Sequence, residues 1–110
     1  MLDRRQFVLA LAVGACALPL RAQTTARSIH RVEIKNFSFE PSRVEVRVGD
    51  TVEWVNRDLT PHTATADNKS WDTGLLKDEA TSRLVMTKPG VNAYHCAYHP
   101  NMTGVITVVS

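Results

Sequence analysis

Apolar and polar residues alternate with period two over most of the chain after Ile29. Val32 and Ile34 alternate with charged neighbours, Val44, Val46 and Val48 alternate with Glu45 and Arg47, and Val52 and Trp54 flank Glu53. Side chains on successive strand residues point to opposite faces, so this pattern predicts β-strands with one buried face. Further strands are expected at residues 63–66, 83–86, 91–96 and 103–109. Glu40-Pro41-Ser42, Val48-Gly49-Asp50 and Lys88-Pro89-Gly90 carry the turn residues that separate the runs. Between residues 67 and 81 the alternation fails, which predicts a long connection with a helical turn around residues 77–80. Roughly seven or eight short strands with one long crossover favour an all-β, antiparallel Greek-key β-sandwich over any helical or α/β fold. Both tryptophans, Trp54 and Trp71, are expected in the core, Trp71 covering one edge.

The first residues do not follow this pattern. A basic start at Arg4-Arg5, an apolar stretch from Val8 to Leu20 and a small-residue stop at Ala22 predict a signal peptide over residues 1–22. Its apolar centre is short for a bilayer span. The Arg-Arg-Gln-Phe sequence resembles the twin-arginine export signal, with Asp3 where Ser or Thr is commoner. Cys16, after Val13-Gly14-Ala15, offers the alternative of a lipid tether. A short disordered lead-in over residues 23–28 and one domain over residues 29–110 account for the rest. The leader holds Arg4, Arg5, Arg21 and Asp3, which leaves 10 basic and 10 acidic residues in the remaining chain. Nothing in this balanced charge suggests a nucleic-acid footprint, which would need a clustered basic face, and no nucleic-acid partner is expected.

Removing the leader also leaves Cys96 as the one thiol. An exported chain with a single cysteine cannot close an internal disulfide, and an exposed thiol there oxidises, so Cys96 is expected to be buried, lipidated or metal-bound. The run Cys96-Ala97-Tyr98-His99-Pro100-Asn101-Met102 sets a thiol, an imidazole and a thioether at three-residue steps in a tight connection between two strands. Soft sulfur ligands with imidazole suit copper, and two histidines, one cysteine and a weak axial methionine are the ligands of blue-copper electron-transfer sites. The second histidine comes from elsewhere. His62, in a loop between two strands, is the best candidate by elimination. His30 lies at the start of the first strand, and His95 neighbours Cys96 on a strand and should face the other way.

With these residues the chain resembles the cupredoxins, the small blue-copper proteins that include plastocyanin and amicyanin. Tyr94-His95-Cys96, His99, Met102 and Thr103-Gly104 look most like the short amicyanin-type ligand loop. Phe37-Ser38-Phe39-Glu40-Pro41, Val48-Gly49-Asp50-Thr51-Val52, Trp54-Val55-Asn56, Pro61-His62 and Lys88-Pro89-Gly90 extend the resemblance over nearly the whole domain. The resemblance implies a periplasmic, monomeric one-electron carrier holding one copper ion on His62, Cys96, His99 and Met102. It also implies transient docking of redox protein partners near His99, within a rim of Leu59, Pro61, Ala97, Tyr98 and Pro100. No catalysis by the isolated chain is expected. Copper storage or delivery is the alternative use of the same ligands.

Two positions depart from the family pattern. Thr63 follows His62 where relatives often carry an asparagine that ties the ligand loops together, so a looser link is expected. Tyr98 precedes His99 where proline is frequent, which leaves a backbone N–H expected to reach the Cys96 sulfur.

Overall fold

The alternating runs become eight strands in two facing four-stranded sheets. The structure, a computed structural model, describes residues 27–110. The expected leader and Cys16 lie outside the described residues. The strands are β1 (Ile29–Lys35), β2 (Ser38–Glu40), β3 (Arg43–Arg47), β4 (Thr51–Asn56), β5 (Thr65–Ala66), β6 (Thr81–Val85), β7 (Gly90–His95) and β8 (Thr103–Val109). One sheet has the order β2-β1-β4-β6 and the other β3-β8-β7-β5. The sandwich is therefore as expected, but it is not wholly antiparallel. The β1/β4 and β3/β8 pairs are parallel, because β1 and β3 each pair with a strand reached only after the chain has visited the opposite sheet.

The inward positions of the alternation form the core. Val32 and Ile34 of β1, Phe39 of β2, Val46 of β3, Val52 and Trp54 of β4, Tyr94 of β7, and Ile106 and Val108 of β8 are all buried in one cluster. Trp71, from the long connection, packs on Trp54 and Tyr94 with ring centroids 5.3 and 5.5 Å apart. Opposite Tyr94 in the β7/β8 ladder stands Gly104, where a Cβ would collide with the Tyr94 ring. A residue without a side chain is required at that position so that the phenol can lie flat across β8.

Two outward positions of β4, Glu53 and Val55, are also buried. Glu53 lies in the middle of a sheet face yet is buried, because Arg31 and Arg83 from the adjacent strands close over it. Their guanidinium groups donate to its two carboxylate oxygens at 2.9 and 2.8 Å. These bonds, Arg83 first, hold the Glu53 carboxyl below its ordinary range.

At the end of the sandwich where β1 begins, Asp50 accepts N–H bonds from Ser28 and Arg47, and faces Nε2 of His30 at 2.9 Å. Ser28, placed by the sequence in a disordered lead-in, is thus bonded into the frame, and its carbonyl accepts the Thr51 N–H. At the other end the long connection contains no helix. Residues 77–80 form a turn closed by the Ala80 N–H on the Lys77 carbonyl, with Glu79 at φ 65°. Asn56, wholly buried at the end of β4, supports this end by donating to the carbonyls of Thr60 and Leu76. No helix among the described residues is long and apolar enough to cross a membrane.

Candidate metal centre

Two connections meet at that second end: the segment leaving β4, from one sheet, and the loop joining β7 to β8, from the other. The β7–β8 loop is folded tightly on itself. The Cys96 N–H donates to the Met102 carbonyl at 3.1 Å, the His99 N–H to the Cys96 carbonyl at 3.3 Å, and the Met102 N–H to the His99 carbonyl at 2.9 Å. Those bonds turn a seven-residue stretch into one rigid corner in which Cys96 and Met102 are buried and His99 is partly exposed.

His62 reaches the same corner from the β4 side. Reciprocal backbone bonds with Leu76 fix its main chain, and its side chain is wholly buried. Its Nδ1 lies 3.8 Å from Cys96 Sγ, and His99 Nδ1 lies 3.7 Å from the same sulfur. All three donor atoms fall within 4.8 Å of one another. Bonds of about 2.0 Å to nitrogen and about 2.3 Å to sulfur at a first-row metal imply N···S separations of roughly 3.5–3.7 Å, so the donors stand where one ion would hold them. A cysteine sulfur and two imidazoles, one of them partly exposed, with a methionine in the same corner, form a donor set suited to copper.

The structure separates the other two histidines from this cluster. His30 pairs with Asp50 at the opposite end, and His95 turns its Nδ1 outward onto Asp67 at 2.6 Å.

The link between the ligand loops, expected to be looser at Thr63, is made by its hydroxyl. The Thr63 hydroxyl accepts the Ala97 N–H at 2.8 Å and is braced by the Thr65 hydroxyl at 2.9 Å. The sulfur is also served differently from the expectation. Its backbone donor among the described residues is the N–H of Thr63, at 3.4 Å, and not that of Tyr98, since the chain there curls so that the next N–H returns to the Cys96 carbonyl.

Two residues at the site were not legible as site residues. Phe37, in the β1–β2 turn, sets its ring edge-to-face against both imidazoles, 4.9 Å from His62 and 5.0 Å from His99. Asp58 accepts from His62 Nε2 at 2.8 Å, so the proton of that ring sits on Nε2 and Nδ1 is left free to face Cys96. Burial raises the Asp58 pKa, but the Phe37 and Asn36 N–H groups and the His62 ring outweigh it and leave the carboxyl below its ordinary range. No spacing rule ties residue 37 or 58 to a metal; only the fold brings them here.

A sandwich with a buried Cys-His-His corner and an adjacent methionine defines a type 1 copper arrangement on a β-framework, and the comparison with known proteins agrees. The chain belongs to the cupredoxin-like domain family, whose sequence model matches residues 7–108. It is 32% identical to amicyanin of Paracoccus denitrificans over 95 residues, covering 82% of this chain and 72% of that protein. It is 30% identical to plastocyanin of Nostoc punctiforme over 89 residues, covering 64% of each. Among solved structures, the copper-containing nitrite reductase of Thermus scotoductus matches with a TM-score of 0.70 and 33% identity, over 91% of this chain but 25% of that one.

Proposed function

We propose that the protein is an exported, monomeric type 1 copper protein that carries single electrons between redox partners in the periplasm. The observation that carries this reading is the convergence of Cys96 Sγ with the Nδ1 atoms of His62 and His99 in a corner tied by hydrogen bonds. His62, His99, Cys96 and Met102 would hold the ion. Copper, when bound, supplies a one-electron couple between Cu(II) and Cu(I). The protein's own part is to keep the donors still, because a site that barely moves between two charge states adds little reorganisation to each transfer. The Met102–His99–Cys96 backbone bonds, the Thr63–Ala97 link and the Asp58–His62 contact do this from three directions.

His99 is the partly exposed imidazole, and the surface around it is apolar. Leu59 is 85% exposed, Tyr98 65% and Phe37 47%, with Pro61, Ala97 and Pro100 exposed between them. A small apolar rim suits a transient docking interface that forms by desolvation and releases quickly. Export rests on the leader pattern of residues 1–22. Storage or delivery would use the same donors, but wholly buried His62 and Cys96 favour retention of the ion over hand-off.

The test is a visible spectrum of the protein given one equivalent of Cu(II) and then ascorbate. An intense band that bleaches and returns on reoxidation is expected. A pale spectrum, or copper lost to a competing chelator as soon as it is reduced, would move the assignment to delivery.

A further inference from the structure

The β1–β2 turn is built from an unfavourable residue. Asn36 and Phe37 have φ of 53° and 56°, and Lys35 pairs with Ser38 across them, so the hairpin closes through two consecutive left-handed residues. Asparagine tolerates that conformation and glycine usually follows it; a bulky aromatic residue does not belong there on local grounds. Something outside the turn must hold it.

Asp58 is that group. One carboxylate oxygen accepts the Asn36 N–H at 2.8 Å and the other accepts the Phe37 N–H at 2.9 Å. The second oxygen is the one that also faces His62 Nε2. Asp58 is itself immobilised, because its own N–H donates at 2.9 Å to the side-chain oxygen of Asn56. A single anchored carboxylate therefore holds the turn that aims the Phe37 ring and the imidazole that the ring covers.

We propose that Asp58 is a positioning residue that couples the Phe37 turn to His62, so that the aromatic cover over both imidazoles and the direction of His62 Nδ1 toward Cys96 are set together. This deepens the copper-site reading and rests on it. A carboxylate is required for both halves: it has two oxygens with enough lone pairs for three donors, whereas an amide at the same place would turn a donor toward one of them. Phe37 is then held in position by a residue it is far from in sequence, and its left-handed backbone is kept because the cover is needed there.

The test begins on the metal-free protein, where the outcome does not depend on copper. Nitrogen-detected NMR of the imidazoles should find His62 protonated at Nε2, and hydrogen exchange should find the Asn36 and Phe37 amides protected. In Asp58→Ala the His62 tautomer should become mixed and the two turn amides should lose protection by at least about tenfold, while β8 amides are unchanged. Asp58→Glu should restore part of both, and Asp58→Asn, which keeps the size, gives the same reading if the alanine variant does not fold. On copper loading, Asp58→Asn should shift the visible band and the reduction potential. Unchanged His62 tautomer and turn protection in the variants would overturn the coupling, whatever the metal does. A wild-type protein with no thiolate–copper band but the expected NMR response would sink the copper reading and leave the link between turn and imidazole standing.

Discussion

The backbone N–H of Thr63 points at the sulfur of Cys96 from 3.4 Å, although the two residues are 33 apart in the chain. The same threonine uses its hydroxyl to accept the N–H of Ala97, so two consecutive residues of one loop are bonded to one residue of the other. Thr63→Ala removes the hydroxyl bond and leaves the N–H to sulfur. A loss of about 1 kcal/mol in the metal-free protein follows from one buried hydrogen bond, and Thr63→Ser should recover most of it. Urea unfolding of the three proteins checks this. An alanine variant as stable as wild type would mean that the loops are held without the link.

Asp50 gives the acid dependence of the fold. The Arg47 N–H, the His30 side chain and the Ser28 N–H together outweigh burial and hold its pKa at about 2, against 3.8 ordinarily. A carboxylate whose pKa is lower folded than unfolded stabilises the fold fully above its unfolded value. That contribution shrinks as pH falls below about 4 and is gone below about 2. Asp50→Asn should therefore cost about 1.5–3 kcal/mol at neutral pH, and its unfolding midpoint should converge with wild type at the bottom of that window. A constant gap down to the lowest pH would contradict the assignment.

Gly104 is sterically committed. Because a Cβ there would run into the Tyr94 ring, Gly104→Ala should destabilise by about 1–3 kcal/mol, the range for overpacking a filled interior. The penalty should shrink when Tyr94 is first replaced by leucine, and a double-mutant cycle measures that coupling. Additive losses would place the strain elsewhere.

Leu59 tests docking separately from the copper chemistry. At 85% exposure it contributes little to stability, so Leu59→Glu should unfold within about 0.5 kcal/mol of wild type. The visible spectrum should be unchanged, while electron exchange with a redox partner slows. An exchange rate equal to wild type would remove Leu59 from the interface.

Much of the fold was legible because period-two alternation reports burial directly. The last strand was read at its observed bounds, and β1, β3 and β4 were found from valines, isoleucine and tryptophan on one face. Alternation does not say which strand is a neighbour, so the parallel β1/β4 and β3/β8 pairs were missed, and β2, with three residues, was too short to alternate. The β7–β8 corner was legible because its chemistry is local: Cys96, His99 and Met102 are neighbours in sequence. His62 came only by elimination. Asp58 and Phe37 were invisible, since a common carboxylate and a common aromatic acquire a role only when a turn 21 residues upstream folds against the loop of Asp58.

The donors are divided unequally along the chain, and that division bears on thermodynamics. Cys96, His99 and Met102 lie within one short stretch that an unfolded chain could still wrap around a soft ion, whereas His62 comes from the β4–β5 connection, 34 residues before Cys96. Binding to the unfolded state subtracts from whatever stabilisation a ligand gives the native one. With copper held as proposed, selectivity for the folded protein would rest on His62, the donor that only folding brings from the β4–β5 connection to the β7–β8 loop.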